Sequence, residues 1–117
     1  MAIEHVLAVA PVSDFDTAAA WYGRLFGRAP DNRPMPGLAD WRITGGGRLQ
    51  VWRDPARAGT ALLNFAVDDL PAHLEALADR GLAPGEVQEA DKGVRLSSLT
   101  DPDGNRLTFI GGFRTTV

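Results

Sequence analysis

Two histidines, His5 and His73, and no cysteine stand among the 117 residues. Lacking cysteine, the chain has no thiol nucleophile, no thiolate metal site and no disulfide. His5 is the best-suited general base, because an imidazole takes up a proton near neutral pH. His73 lies three residues after Leu70 on a helical stripe, where packing is the simpler role. Asp101 and Asp103 have the look of a carboxylate pair, but Pro102 and Gly104 beside them mark a turn. Gly45-Gly46-Gly47 precedes no helix whose amides could hold a phosphate, so it reads as a hairpin tip. No Ser/His/Asp arrangement can be assembled from these residues. Trp41 and Trp52 remain as flat apolar walls suited to an aromatic or cationic ligand.

The elements that must carry these groups are legible from periodicity. Phe15, Ala18, Ala19, Tyr22, Leu25 and Phe26 form one face of a helix over residues 14–26, with Ser13 or Asp14 as cap and Gly27 as stop. Leu70, Leu74, Leu77 and Ala78 repeat the pattern over residues 69–80, capped by Asp68 or Asp69 and closed by Gly81. Asp14 and Asp69 lie 55 residues apart, and Gly27 and Gly81 lie 54 apart, so the chain repeats itself once. Apolar runs at 5–12 and 61–67 precede the helices as strands. A loose segment at 31–37 and strands at 39–44 and 48–53 follow the first helix. Strands at 84–90, 94–99 and 106–110 follow the second. The reading is a single α+β domain over residues 1–117, made of two tandem βαβββ units, 1–56 and 57–117.

Two such units, each with one sheet face covered by its helix, pack into a curved mixed sheet with a concave cup. Strand alternation places Gln50 and Trp52 on one face of the fourth strand, toward the cup. Periodicity leaves the face of Trp41 unresolved. Asn64, Arg106 and Thr108 are expected on the cup side of the second unit, where they would orient a polar or anionic group.

Composition excludes other classes. A net charge of −3 gives no support to a nucleic-acid surface. No apolar run approaches the ~20 residues of a membrane span, and the first residues lack the basic leader of a signal peptide. A soluble cytoplasmic protein is expected.

The stretches Val12-Ser13-Asp14-Phe15-Asp16, Trp21-Tyr22, Leu25-Phe26-Gly27, Val67-Asp68-Asp69-Leu70 and Asp101-Pro102-Asp103-Gly104-Asn105 resemble the vicinal-oxygen-chelate superfamily. That superfamily includes glyoxalase I, extradiol dioxygenases and bleomycin-resistance proteins, and the resemblance covers essentially the whole chain. It implies a homodimer. In its metal-dependent members His, Gln or Glu side chains on the first and last strands of each unit hold a divalent ion. The matching positions here are Leu7 (with His5 two residues earlier), Gln50, Leu62 (with Asn64 two residues on) and Thr108. His5 and Gln50 without a carboxylate make an incomplete set. The leading expectation is therefore a metal-free cup that binds a small aromatic or amphipathic molecule through His5, Trp41, Gln50, Trp52, Asn64, Arg106 and Thr108. The alternative is a lyase, isomerase or dioxygenase that recruits a metal through His5 and Gln50, with His5 as base. A third reading is an interaction module whose own side chains fill the cup.

Overall fold

The structure is a computed structural model that describes residues 2–113. Strand β1 (Val6–Val12) leads into helix α1 (Phe15–Phe26), followed by β2 (Asn32–Met35), β3 (Leu38–Thr44) and β4 (Gly47–Arg53). The second unit repeats the order with β5 (Leu62–Val67), α2 (Leu70–Asp79), β6 (Gln88–Glu89), β7 (Arg95–Thr100) and β8 (Arg106–Gly111). Each unit has its own four-stranded mixed sheet, ordered β1-β4-β3-β2 and β5-β8-β7-β6. In both, the strand before the helix pairs in parallel with the last strand of the unit. The strand expected over 84–90 is reduced to two residues. Around Pro84 and Gly85 the chain leaves the ladder and keeps a single backbone bond, from Gly85 N–H to the Ser98 carbonyl.

Short polar residues set the helix ends. The Asp14 carboxylate accepts from Thr17 N–H at 3.1 Å, and Asp69 accepts from Ala72 N–H at 3.1 Å. Gly27 ends α1 in the left-handed region, with φ of 70°. Arg80, from the second unit, donates to the carbonyls of Arg24 and Leu25 that α1 leaves unpaired at its C-terminus.

Alternation turns Ala10 and Val12 of β1, Ala39 and Trp41 of β3, and Leu49 and Val51 of β4 toward the helices. Leu63, Leu107 and Phe109 do the same in the second sheet. A run of aromatic rings joins the two units: Tyr22 to Trp41, Trp41 to Phe26, Phe26 to Phe65 and Phe65 to Phe109, at centroid distances of 5.5–6.3 Å. Trp21, 8% exposed, meets Tyr22 edge-on and belongs to this core. His73 packs on Phe109 at 4.4 Å, and burial lowers its pKa below the usual imidazole value.

The turn from Asp101 to Asn105 is a clasp between the units. One Asp101 oxygen accepts the backbone N–H groups of Asp103, Gly104 and Asn105 at 2.9–3.0 Å. The other accepts from the Tyr22 hydroxyl and from Asn105 Nδ2, each at 2.7 Å. Asn105 Nδ2 also donates to the Pro11 carbonyl at 2.8 Å, and its Oδ1 accepts from Ala61 N–H at 2.9 Å. Ser13 does not cap α1; its N–H and hydroxyl both donate to Asp103. Gly59 passes so close that a Cβ there would lie 2.2 Å from the Asp103 carbonyl oxygen, which leaves room for glycine alone. Both carboxylates of the apparent pair are thus spent on holding the turn and the two units.

Burial, and then the neighbouring Asp101 carboxylate, raise the Tyr22 hydroxyl far above its usual pKa near 10. The folded chain keeps this proton where the unfolded chain releases it. The resulting stability is therefore complete below about pH 10 and is lost as pH rises further. Urea titrations from pH 8 to 11 are expected to show this decline in the wild type and a shallower one in Tyr22→Phe. Equal slopes for the two proteins would contradict it.

Candidate functional site

Side chains on the other face of the first sheet stand in three cross-strand rows. Leu7, Arg48 and Arg42 form one row, Val9, Gln50 and Asp40 the next, and Pro11, Trp52 and Leu38 the third. Neither described helix covers this face, and Leu7 and Val9 remain 48% and 41% exposed on it. Trp52, half-buried, is the wall between two depressions. One, of about 250 Å³, is lined by Val9, Met35, Leu38, Gln50 and Trp52. The other, of about 420 Å³, runs from Val9, Pro11 and Trp52 across to Asp54, Arg57, Thr60 and Ala61. The arrangement offers an indole face, aliphatic neighbours and one amide, which suits a partly apolar ring bearing a polar substituent.

Gln50 and Trp52 stand together on the open face as their alternation implies. Trp41 does not. It is fully buried on the helix side of β3, against Tyr22 and Phe26, with its indole N–H donating to the Arg28 carbonyl at 3.1 Å. It therefore cannot line the cup. His5 lies outside the strand, because β1 begins at Val6, opposite Gly47. The residue is exposed, and the step of four positions from it to Val9, the partner of Gln50, spans about 13 Å of extended chain. His5 and Gln50 are not brought together.

Asn64 and Thr108 are cross-strand partners on the open face of the second sheet, next to the Leu62 and Arg106 pair. The Thr108 hydroxyl is within 2.7 Å of the Ser98 hydroxyl. Arg106 lines a separate hollow of about 500 Å³ along β7, with Ser98 and Thr100. A further hollow, of about 680 Å³, lies on α1 beside Arg24, Arg28, Arg33 and Arg80, away from all these positions.

The positions at which the resemblance implies metal ligands carry Leu7, Gln50, Leu62 and Thr108, and His5 lies before β1. One amide and one hydroxyl already paired to Ser98 do not fit a divalent cation. Among the described residues, no three His, Asp or Glu side chains converge. None of the described helices is long and apolar enough to cross a membrane.

Val9, Met35, Leu38 and Asp40 were not singled out by sequence. Their signal is positional: they surround Gln50 and Trp52 in the cross-strand rows, so they become visible once the β3–β4 register is known.

No curated protein matches the chain. Among solved structures, a glyoxalase/bleomycin resistance protein from Catenulispora acidiphila DSM 44928 is 33% identical. The alignment covers 92% of this chain and 96% of that one, with a TM-score of 0.86. TnmS3, an antibiotic binding protein from Streptomyces sp. CB03234, is 27% identical over 95% of this chain and 98% of its own, with a TM-score of 0.76. A bleomycin-binding protein complexed with bleomycin shares the fold at 23% identity and a TM-score of 0.76, over 93% of this chain and 98% of its own. The sequence matches the glyoxalase-like domain over residues 6–110. With its paired βαβββ units and these relatives, the chain belongs to the glyoxalase-like family of the vicinal-oxygen-chelate superfamily.

Proposed function

We propose that this protein binds a small aromatic or amphipathic molecule on the open face of its first sheet, against Trp52 and without a metal ion. The observation that carries the reading is Trp52 itself, a half-exposed indole between two depressions on an uncovered sheet face. An indole left there costs apolar exposure that a stacked ring would remove. Val9, Met35 and Leu38 exclude water around the ring, and Gln50 offers one donor and one acceptor. The antibiotic binding protein of similar sequence supports sequestration rather than turnover. The open faces also leave Leu7, Val9, Met35 and Leu62 exposed, which supports a homodimer in which a second copy closes the cup. Binding then takes place in the cytoplasm, with neither nucleic acid nor membrane as partner.

The test is a thermal-shift screen of aromatic and amphipathic compounds, followed by calorimetric titration of the hits. One compound per chain, recovered chemically unchanged, is expected. Trp52→Ala should weaken it at least about tenfold, the size of a lost stacking contact. A hit indifferent to Trp52→Ala, or one converted to product, would overturn the reading. So would a transition metal present at one per chain in protein purified without a metal column.

A further inference from the structure

Asp40 occupies the centre of the open face, in register with Gln50 on β4 and Asn32 on β2, yet its side chain is only 5% exposed. Its Oδ2 accepts from Arg48 Nη1 at 3.2 Å. Its Oδ1 is buried and has no donor among the described residues. A buried carboxylate oxygen without a donor is costly, and such atoms are rare in folded proteins. The fold does not call for one at this position. β3 pairs through its backbone and contributes Ala39 and Trp41 to the core, while on the open face Leu38 lies two residues away.

Resting on the open-face reading above, we propose that Asp40 Oδ1 is the acceptor for an N–H donor of the bound molecule. Trp52 lies one residue pair along β4 from Gln50, the partner of Asp40. Asp40 and Trp52 are therefore diagonal neighbours on adjacent strands, about 7–8 Å apart, and the ligand class is an aromatic ring whose N–H group reaches that far from its centre. Arg48, a quarter exposed and holding Asp40 through one nitrogen, is the side chain whose rotation admits the donor. The donor belongs to a carboxamide or to a protonated amine. Arg48 and Arg42 stand on the same face and oppose a cation, so the two are separable by experiment.

Three probes of one ring size test this by calorimetry on the full chain: naphthalene carboxamide, naphthylmethylammonium and methyl naphthoate. At least one of the two donors is expected to bind about tenfold tighter than the ester, the scale of a hydrogen bond to a charged acceptor. The better donor names the source. Asp40→Leu should erase that advantage and leave the ester unchanged. Equal affinities of all three for the wild type, each weakened by Trp52→Ala, would overturn the Asp40 subsite and leave the open-face reading standing. Affinities indifferent to Trp52→Ala would overturn both. Because the wild-type comparison needs no variant, the proposal stays testable if Asp40→Leu fails to fold.

Discussion

Asn105→Ala is expected to lower the unfolding free energy by about 3 kcal/mol. In a chain of this size that corresponds to a fall in Tm of roughly 12 °C. Asn105 is fully buried and makes three side-chain hydrogen bonds, to Pro11, Asp101 and Ala61. Alanine leaves the Pro11 carbonyl and the Ala61 N–H without this partner and takes one donor from the buried Asp101 carboxylate, and the unmet hydrogen bonds are the larger part of the loss. Asn105→Asp should do no better. It keeps an acceptor for Ala61 N–H, but it loses both donors and sets a second carboxylate against Asp101. Differential scanning calorimetry reads both variants. A Tm within about 3 °C of wild type would mean that the clasp does not hold the units together.

The two tryptophans of the first sheet should separate stability from binding. Trp41→Ala is expected to cost about 3–5 kcal/mol, as for other large aromatic truncations in cores. The indole is fully buried among Tyr22 and Phe26, and its N–H satisfies the Arg28 carbonyl. Trp52→Ala removes a half-exposed ring from an uncovered face and should cost under about 1 kcal/mol. Chemical denaturation of both variants, with ligand titration of the second, checks the pair. A Trp52→Ala protein as unstable as Trp41→Ala would make Trp52 a packing residue and remove the basis for the proposed function.

The contrast also shows where the sequence stops being informative. Helix positions were readable because Asp14 and Asp69 cap them and because apolar residues recur on one face. The tandem repeat followed from the matched spacing of those caps and their closing glycines. The facing of Trp41 was not readable, because β3 and β4 change register between Arg42 and Thr44. A one-residue shift near the Gly45-Gly46-Gly47 turn exchanges the two faces of β3, and nothing local to Trp41 records it. His5 was misplaced for a related reason. A strand ends where its partner ends, and the parallel partner of β1 begins only at Gly47, 41 residues beyond Val6. Gln50 and Trp52 were readable because they share one strand and need only alternation. Asp40 was missed because an aspartate between apolar residues reads as a solvent-facing position until the strand beside it is known.

Synthesis order gives the clasp a further consequence. Ser13 and Asp103 are bonded across 90 residues of chain, and Asn105 reaches back 94 residues to Pro11. A ribosome releases the first unit long before it makes residue 105. During that interval the Pro11 carbonyl lacks its Asn105 donor, and the Tyr22 hydroxyl lacks its Asp101 acceptor. The first half must therefore wait, incompletely bonded and with its core face open toward the missing Phe65 and Phe109. Contacts this distant in sequence slow folding, and an exposed half-core invites association with other chains. The turn between β7 and β8, made well after the first unit, completes the hydrogen bonding of β1 and α1.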